Sequence, residues 1–237
     1  MKYMMMIFSV CAILWSFSAC TKEKSVENSP VSRPSVTFHK KTEFAALSWE
    51  KNHPERKAWS TFAFELVSAE LFEVLDSAKD AKRICLKYEV LERNQRILVW
   101  GELISAMAYF ESGWIPTSRM IETTMGTDPV TGKQVASEGL LQLSYQDVPN
   151  YGSVLKYPLC KIQWSKDKSL SVTDPKKTIL DPYINLECGL RILANQIQKK
   201  GSIILSSGVY WAVLKDGGKY SKVDSIIAMV EKTGLCK

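Results

Sequence analysis

Residues 104–114 read ISAMAYFESGW, and no other stretch constrains the fold as much. Wound as an α-helix, positions 104, 107, 108 and 111 fall on one face, at the spacing of a buried stripe. Three of them are Ile104, Met107 and Ala108, and the fourth is Glu111. Gly113 reads as a helix stop, which puts Glu111 in the last turn, where the helix dipole disfavours a negative charge. Burial beside Phe110 and Trp114 acts in the same direction, because desolvation penalises the ionised form. A glutamate that keeps its proton near neutral pH is what a general acid requires. The alternative is a glutamate that reaches solvent from a frayed helix end.

The rest of the composition narrows the chemistry by exclusion. The two histidines, His39 and His53, both precede the first convincing helix, so a Ser-His-Asp or Cys-His site would have to borrow one of them. HExxH, paired CxxC, GxSxG, a GxGxxG after a strand and a phosphate loop are all missing. An enzyme with this sequence therefore works with carboxylates, and neither a metal nor an organic cofactor is expected. The formal charge of +6 is spread along the chain without a basic block, which does not fit nucleic-acid binding and is compatible with an anionic polymer.

Taken in order, residues 1–20, MKYMMMIFSVCAILWSFSAC, carry one lysine and then an apolar run too short for a membrane span but of signal-peptide length. The small residues before Cys20 resemble a bacterial lipoprotein box, with Phe17 in the place of the usual Leu. That resemblance implies a signal over 1–19, cleavage before Cys20, a lipid anchor on its thiol and amino terminus, and, with Thr21 following, the outer membrane facing the periplasm. An ordinary secretory signal is the alternative. Residues 20–44 form a polar tether without apolar period. Residues 45–237 are the folded domain, of a size that allows one core. Helices are expected over Trp59–Ser77, from about Leu91 or Asn94 to Ser112, from Asp181-Pro182 to about Lys200, and in Val209–Leu214 and Val223–Lys232. Residues 115–136, rich in Thr and Gly with Asp128-Pro129, suit a short hairpin or flap. The fold class is mainly α with one small β or loop insertion, and a monomer is expected.

With Cys11 in the signal and Cys20 lipidated, Cys85, Cys160, Cys188 and Cys236 remain. Four thiols in an exported domain suggest two disulfides, with three pairings open. The expected pairing is Cys160–Cys188, pinning an irregular loop to a helix, and Cys85–Cys236, tying down the terminus.

Glu111-Ser112 at a helix end, then the flap, then SEGLLQ at 137–142, then Asn185-x3-Gly189 in a later helix, together resemble the soluble lytic transglycosylase and goose-type lysozyme family. The likeness covers about Ala58 to Lys237. It implies a lysozyme-like α fold whose cleft binds the glycan strands of peptidoglycan. Glu111 matches the family's catalytic acid/base, and Ser112 matches the residue after it. Ser137 and Gln142 match positions lining the sugar site, with Leu141 where Met is usual. Tyr210 matches a tyrosine that steadies acid and sugar, and Trp211 replaces the family asparagine. Trp114, Tyr145, Tyr151 and Tyr210 are candidate sugar-stacking rings.

The resemblance implies a lytic transglycosylase acting on the β-1,4 bond between N-acetylmuramic acid and N-acetylglucosamine. Glu111 protonates the glycosidic oxygen, the muramic 6-hydroxyl closes on C1, and a 1,6-anhydro end results, with no second carboxylate needed. A hydrolytic lysozyme is the first alternative. It would use a second acid, for which Glu122, Asp128 and Glu138 are candidates. A non-catalytic wall-binding lipoprotein is the second.

Overall fold

Helix formation in the long central segment begins with a reciprocal cap. Glu92 and Gln95 form a capping box, in which the Glu92 backbone N–H donates to Gln95 Oε1 at 2.9 Å. The helix runs Arg93–Ser112 and stops at Gly113, whose φ of +61° is left-handed. This is the fifth helix of a computed structural model that describes residues 44–152 and 160–237. Before it come α1 (Ser48–Asn52), α2 (Lys57–Leu66), α3 (Phe72–Asp76) and α4 (Ala81–Ile84). After α5 (Arg93–Ser112) come β1 (Arg119–Ile121), β2 (Ala136–Glu138), α6 (Asp147–Gly152), α7 (Trp164–Asp167), α8 (Pro182–Lys200) and α9 (Val223–Glu231). The fold is mainly helical with one small antiparallel hairpin. The leader, Cys20 and the tether up to residue 43 lie outside the described residues. Among the described residues, no helix is long and apolar enough to cross a membrane.

α5 is the core of the domain. Ile97, Trp100, Leu103, Ile104 and Met107 are all buried, and α1, α2, α3 and α9 pack around the helix. A helix enclosed in this way over residues 99–108 has no solvent face there to give it an amphipathic pattern. Gly101 allows α2 to approach closely, since a Cβ there would lie 2.6 Å from Phe64 Cε1. Two polar side chains of α5 receive the start of the domain. Glu102 accepts from the Ser48 N–H at 3.0 Å, and Ser105 Oγ accepts from the Trp49 N–H at 3.1 Å.

The helix expected over Trp59–Ser77 is instead interrupted. α2 and α3 are joined by one π-helical turn, Val67–Leu71. The wider turn rotates the following residues about the axis, so that Val67 and Leu71 both enter the core. The segment Val209–Leu214 is also not a regular helix, holding a 3₁₀ turn at Ala212–Leu214. α8 begins as expected: Asp181 Oδ1 accepts from the N–H groups of Tyr183 and Ile184, and Pro182 occupies the first turn. The disulfides are Cys85–Cys236 and Cys160–Cys188, the expected pairing.

The loop SEGLLQL is clamped onto α8. Glu138 and Leu143 exchange backbone hydrogen bonds of 2.7 and 2.9 Å, closing a tight turn between them. Asn185 then ties the turn to the helix. Its Oδ1 accepts from the Leu141 N–H at 2.8 Å, and its Nδ2 donates to the carbonyls of Glu138 (3.1 Å) and Ile179 (2.9 Å). Gly189, one turn on, leaves the space that the Leu141 side chain fills. The Asn-x3-Gly spacing thus has a mechanical meaning: one residue holds the loop and the other makes room for it. Asn185→Ala leaves the Leu141 N–H and the Ile179 carbonyl without this partner, while the Glu138 carbonyl keeps the Leu143 N–H, and a loss of about 2–3 kcal/mol is expected in denaturant unfolding.

Candidate active site

Glu111 sits in the last turn of α5, half-buried, and among the described residues nothing donates a hydrogen bond to its carboxylate. Its pKa is pushed up to about 7, first by burial and then by the nearby charge of Glu122. A carboxyl in this state is half-protonated at neutral pH.

Glu122 follows β1 at the root of the flap. Its Oε1 accepts from Ser137 Oγ at 2.5 Å. The register explains the contact. Met120 pairs with Ser137, and Arg119 and Ile121 pair with Glu138 and Ala136. Because strand side chains alternate, Met120, Glu122 and Ser137 share one face of the hairpin while Arg119, Ala136 and Glu138 share the other. Of the three carboxylates considered as a second acid, Glu122 is the one on the face toward Glu111. Converting Glu122 to Gln removes a negative neighbour and eases ionisation of Glu111. Its carboxyl ¹³C titration is expected to move to lower pH, by about one unit or less.

The other two candidates have different tasks. Asp128 is buried; Oδ1 accepts from the N–H groups of Val130 (2.7 Å) and Thr131 (3.2 Å), and Oδ2 from that of Gln146 (3.1 Å). It braces the flap turn. Glu138, 3% exposed, is ion-paired with the buried Lys177 and lies 3.5 Å from Arg119 Nε. Neither is free to handle a proton at Glu111.

Tyr210 completes the site from the far side of the chain. Its hydroxyl donates to Asp147 Oδ2, which also accepts from the N–H (2.6 Å) and Oγ (3.2 Å) of Ser144. The phenol is held well above its ordinary range by burial, then by Asp147, with smaller contributions from Tyr151 and Glu111. Tyr151 stands against it with ring centres 5.7 Å apart. Asp147 was legible only as part of a turn; its partnership with Tyr210 spans 63 residues.

Several residues expected to touch sugar make hydrogen bonds within the protein. Ser112 Oγ lies 2.9 Å from the carbonyls of both Ala108 and Leu140, tying the helix end to the clamped loop. Gln142 Nε2 donates to the Gly139 carbonyl at 2.8 Å, and the residue holds a φ of +49°. Trp211 is buried and donates from Nε1 to the Leu141 carbonyl at 2.8 Å, bracing the clamped loop. Tyr145 is buried and donates to Asp167 Oδ2 at 2.9 Å. Trp114, also buried, donates to the Ser105 carbonyl at 2.8 Å and sits at a φ of +62°. A left-handed tryptophan is unfavourable by about 1–2 kcal/mol, and directly after the Glu111 turn such strain marks a constrained position. Among the described residues, no group of three His, Cys, Asp or Glu side chains is placed to hold a metal ion.

No family model and no curated protein matches the chain. Solved structures do. The wild-type form 2 of DslA (Bd0314), a Bdellovibrio protein, is similar at a TM-score of 0.63 and 29% identity, over 81% of this chain and 98% of that one. Two variants of the same protein, each with a glutamine in place of a glutamate, match at a TM-score of 0.63 and 28% identity, over 81% of this chain and 97% of theirs.

Proposed function

We propose that the protein is a lysozyme-like enzyme of the bacterial cell wall that cleaves the β-1,4 bond between N-acetylmuramic acid and N-acetylglucosamine, with Glu111 as general acid. The observation that carries this reading is the Glu111 carboxyl, held near pKa 7 beside a second carboxylate. Glu111 gives its proton to the glycosidic oxygen as positive charge develops at C1. Tyr210, its own proton committed to Asp147, stays neutral in the same cleft. A protein that only bound glycan would gain nothing from a half-buried acid of this kind, which speaks against the non-catalytic reading.

Two outcomes follow protonation. The lytic transglycosylase route, implied by the sequence resemblance, needs Glu111 alone: having acted as acid, it takes the proton of the muramic 6-hydroxyl, and a 1,6-anhydro end forms. The hydrolytic route needs a second carboxylate to direct a water. Glu122 supports the second, because it faces Glu111 and is oriented by Ser137. The DslA comparison adds weight. Its two glutamine variants lie eleven residues apart in that chain, and Glu111 and Glu122 are separated by the same eleven.

Mass spectrometry of the fragments released from purified peptidoglycan tests the proposal. Reducing ends identify a lysozyme, with Glu122→Gln then expected to abolish release, and anhydro ends, one water lighter, identify a transglycosylase. No release from several wall preparations would overturn the enzymatic reading. The lipid anchor on Cys20, and attachment to the outer membrane through it, belong to the same proposal and are tested by labelling the protein with a fatty-acid analogue in cells.

A further inference from the structure

The hairpin has a second face, and behind it lies a cavity of about 70 Å³. Its polar lining comes mainly from four cations, Arg119, Lys133, Lys168 and Lys177, and three carboxylates. The carboxylates are committed elsewhere. Asp128 receives three backbone N–H groups, as described above. Asp167 receives the N–H and hydroxyl of Thr178 (2.8 and 2.6 Å), the Tyr145 hydroxyl and the Ile179 N–H (3.3 Å). Glu138 is hydrogen-bonded to Lys177 through Oε2, with Oε1 at 3.5 Å from Arg119 Nε.

The cations are less well served. Arg119 Nε is buried and, although ion-paired with Glu138 Oε1 at 3.5 Å, makes no hydrogen bond, and among the described residues nothing accepts a hydrogen bond from the rest of its guanidinium. Lys133 Nζ rests 5.3 Å from the centre of the Trp164 ring, and Lys168 is exposed. The buried Nε is an unmet demand for an acceptor, because buried polar groups are otherwise paired, and the two terminal nitrogens of Arg119 are left to bind an anion in the cavity. Four positive and three negative side chains leave one charge over.

We propose that this cavity is a second binding site, separate from the Glu111 cleft, and that it takes a carboxylate. The planar fork of Arg119 suits two oxygens in one plane, and the single excess charge matches a monoanion better than a doubly charged phosphate. The volume admits a group the size of two or three waters. A peptide carboxylate can therefore enter where a sugar ring cannot. The site depends on the strand alternation and not on the reaction in the cleft, so it stands independently of the glycan-cleaving function.

Calorimetric titration of the full-length protein at constant ionic strength tests this, with acetate, acetamide, dialanine and inorganic phosphate as probes. Acetate and dialanine are expected to bind saturably, acetamide not at all, and phosphate more weakly than acetate. Arg119→Met is expected to weaken acetate binding about tenfold or more, as loss of a charge-assisted pair would. The double variant Lys133→Ala/Lys168→Ala alters two exposed side chains, leaves the fold intact and is expected to weaken binding similarly. It carries the test if the Arg119 variant does not fold. Tighter binding of phosphate, equal binding of acetamide, or unchanged affinity in the lysine variant would each overturn the proposal. So would binding that vanishes in moderate salt, the mark of an adventitious ion only.

Discussion

Glu111→Gln is expected to cut the rate of glycan release by about 10³-fold, the usual contribution of a positioned general acid, while raising stability above neutral pH. The two effects have one origin. Burial makes the folded protein hold the Glu111 proton more tightly than the unfolded chain does, with a pKa of about 7 against 4.5. Below about pH 4.5 both states are protonated and nothing is lost. Between 4.5 and about 7 stability declines as the unfolded chain ionises first, and above 7 the full penalty of roughly 3 kcal/mol is present. Glutamine keeps the shape and cannot ionise, so denaturant midpoints of variant and parent should converge at acid pH and separate as pH rises through 7. A variant that lost activity without this divergence would show that Glu111 does not hold its proton through burial. The same titration sets the activity profile: turnover should fall as pH rises past about 7, because the acid has then lost its proton.

Removing the Cys85–Cys236 bridge is expected to have the largest effect on stability. It spans 151 residues, against 28 for Cys160–Cys188, and so restrains far more of the unfolded chain. Replacing both cysteines by serine should cost about 3–5 kcal/mol, more than removing the shorter bridge, and chemical unfolding of the two serine pairs measures the difference. The loss should also reach the site. The bridge anchors the chain just beyond α9, and α9 packs along α5, whose last turn carries Glu111. Equal losses from the two serine pairs would contradict the loop-closure account.

What could be read in advance was local. Gly113 as the stop of α5, Asp181-Pro182 as the start of α8 and the position of the hairpin all follow from signals within a few residues. The number of cysteines suggested two disulfides and left three pairings open; the pairing found is the one expected from what each bridge would restrain. The π turn at Val67–Leu71 has no such signal, because the register of two core residues against α5 decides it. The same holds for the aromatic rings. Trp114, Tyr145 and Trp211 carry polar atoms, and sequence does not say whether those atoms face a ligand or a carbonyl. Here the partners are Ser105, Asp167 and Leu141, at separations of 9, 22 and 70 residues. Asp147 and Lys177 escaped notice for that reason too: their partners, Tyr210 and Glu138, come from 63 and 39 residues away. Glu111 was legible because a charge on a helical apolar stripe is a local contradiction.

The hairpin divides its residues by parity, one set toward Glu111 and the other toward Arg119 and its neighbours. That arrangement dictates how such a chain can diverge over time. The exposed stretch at 123–127, ahead of the braced Asp128, can change in length most readily, since the ends of the turn are held by the Glu122–Val135 backbone bond of 2.9 Å. Within β1 or β2, a single inserted or deleted residue would exchange the two sets and turn Glu122 or Ser137 away from the cleft. Descendants are therefore expected to keep the strands gap-free, or to change them two residues at a time, while the turn drifts in length.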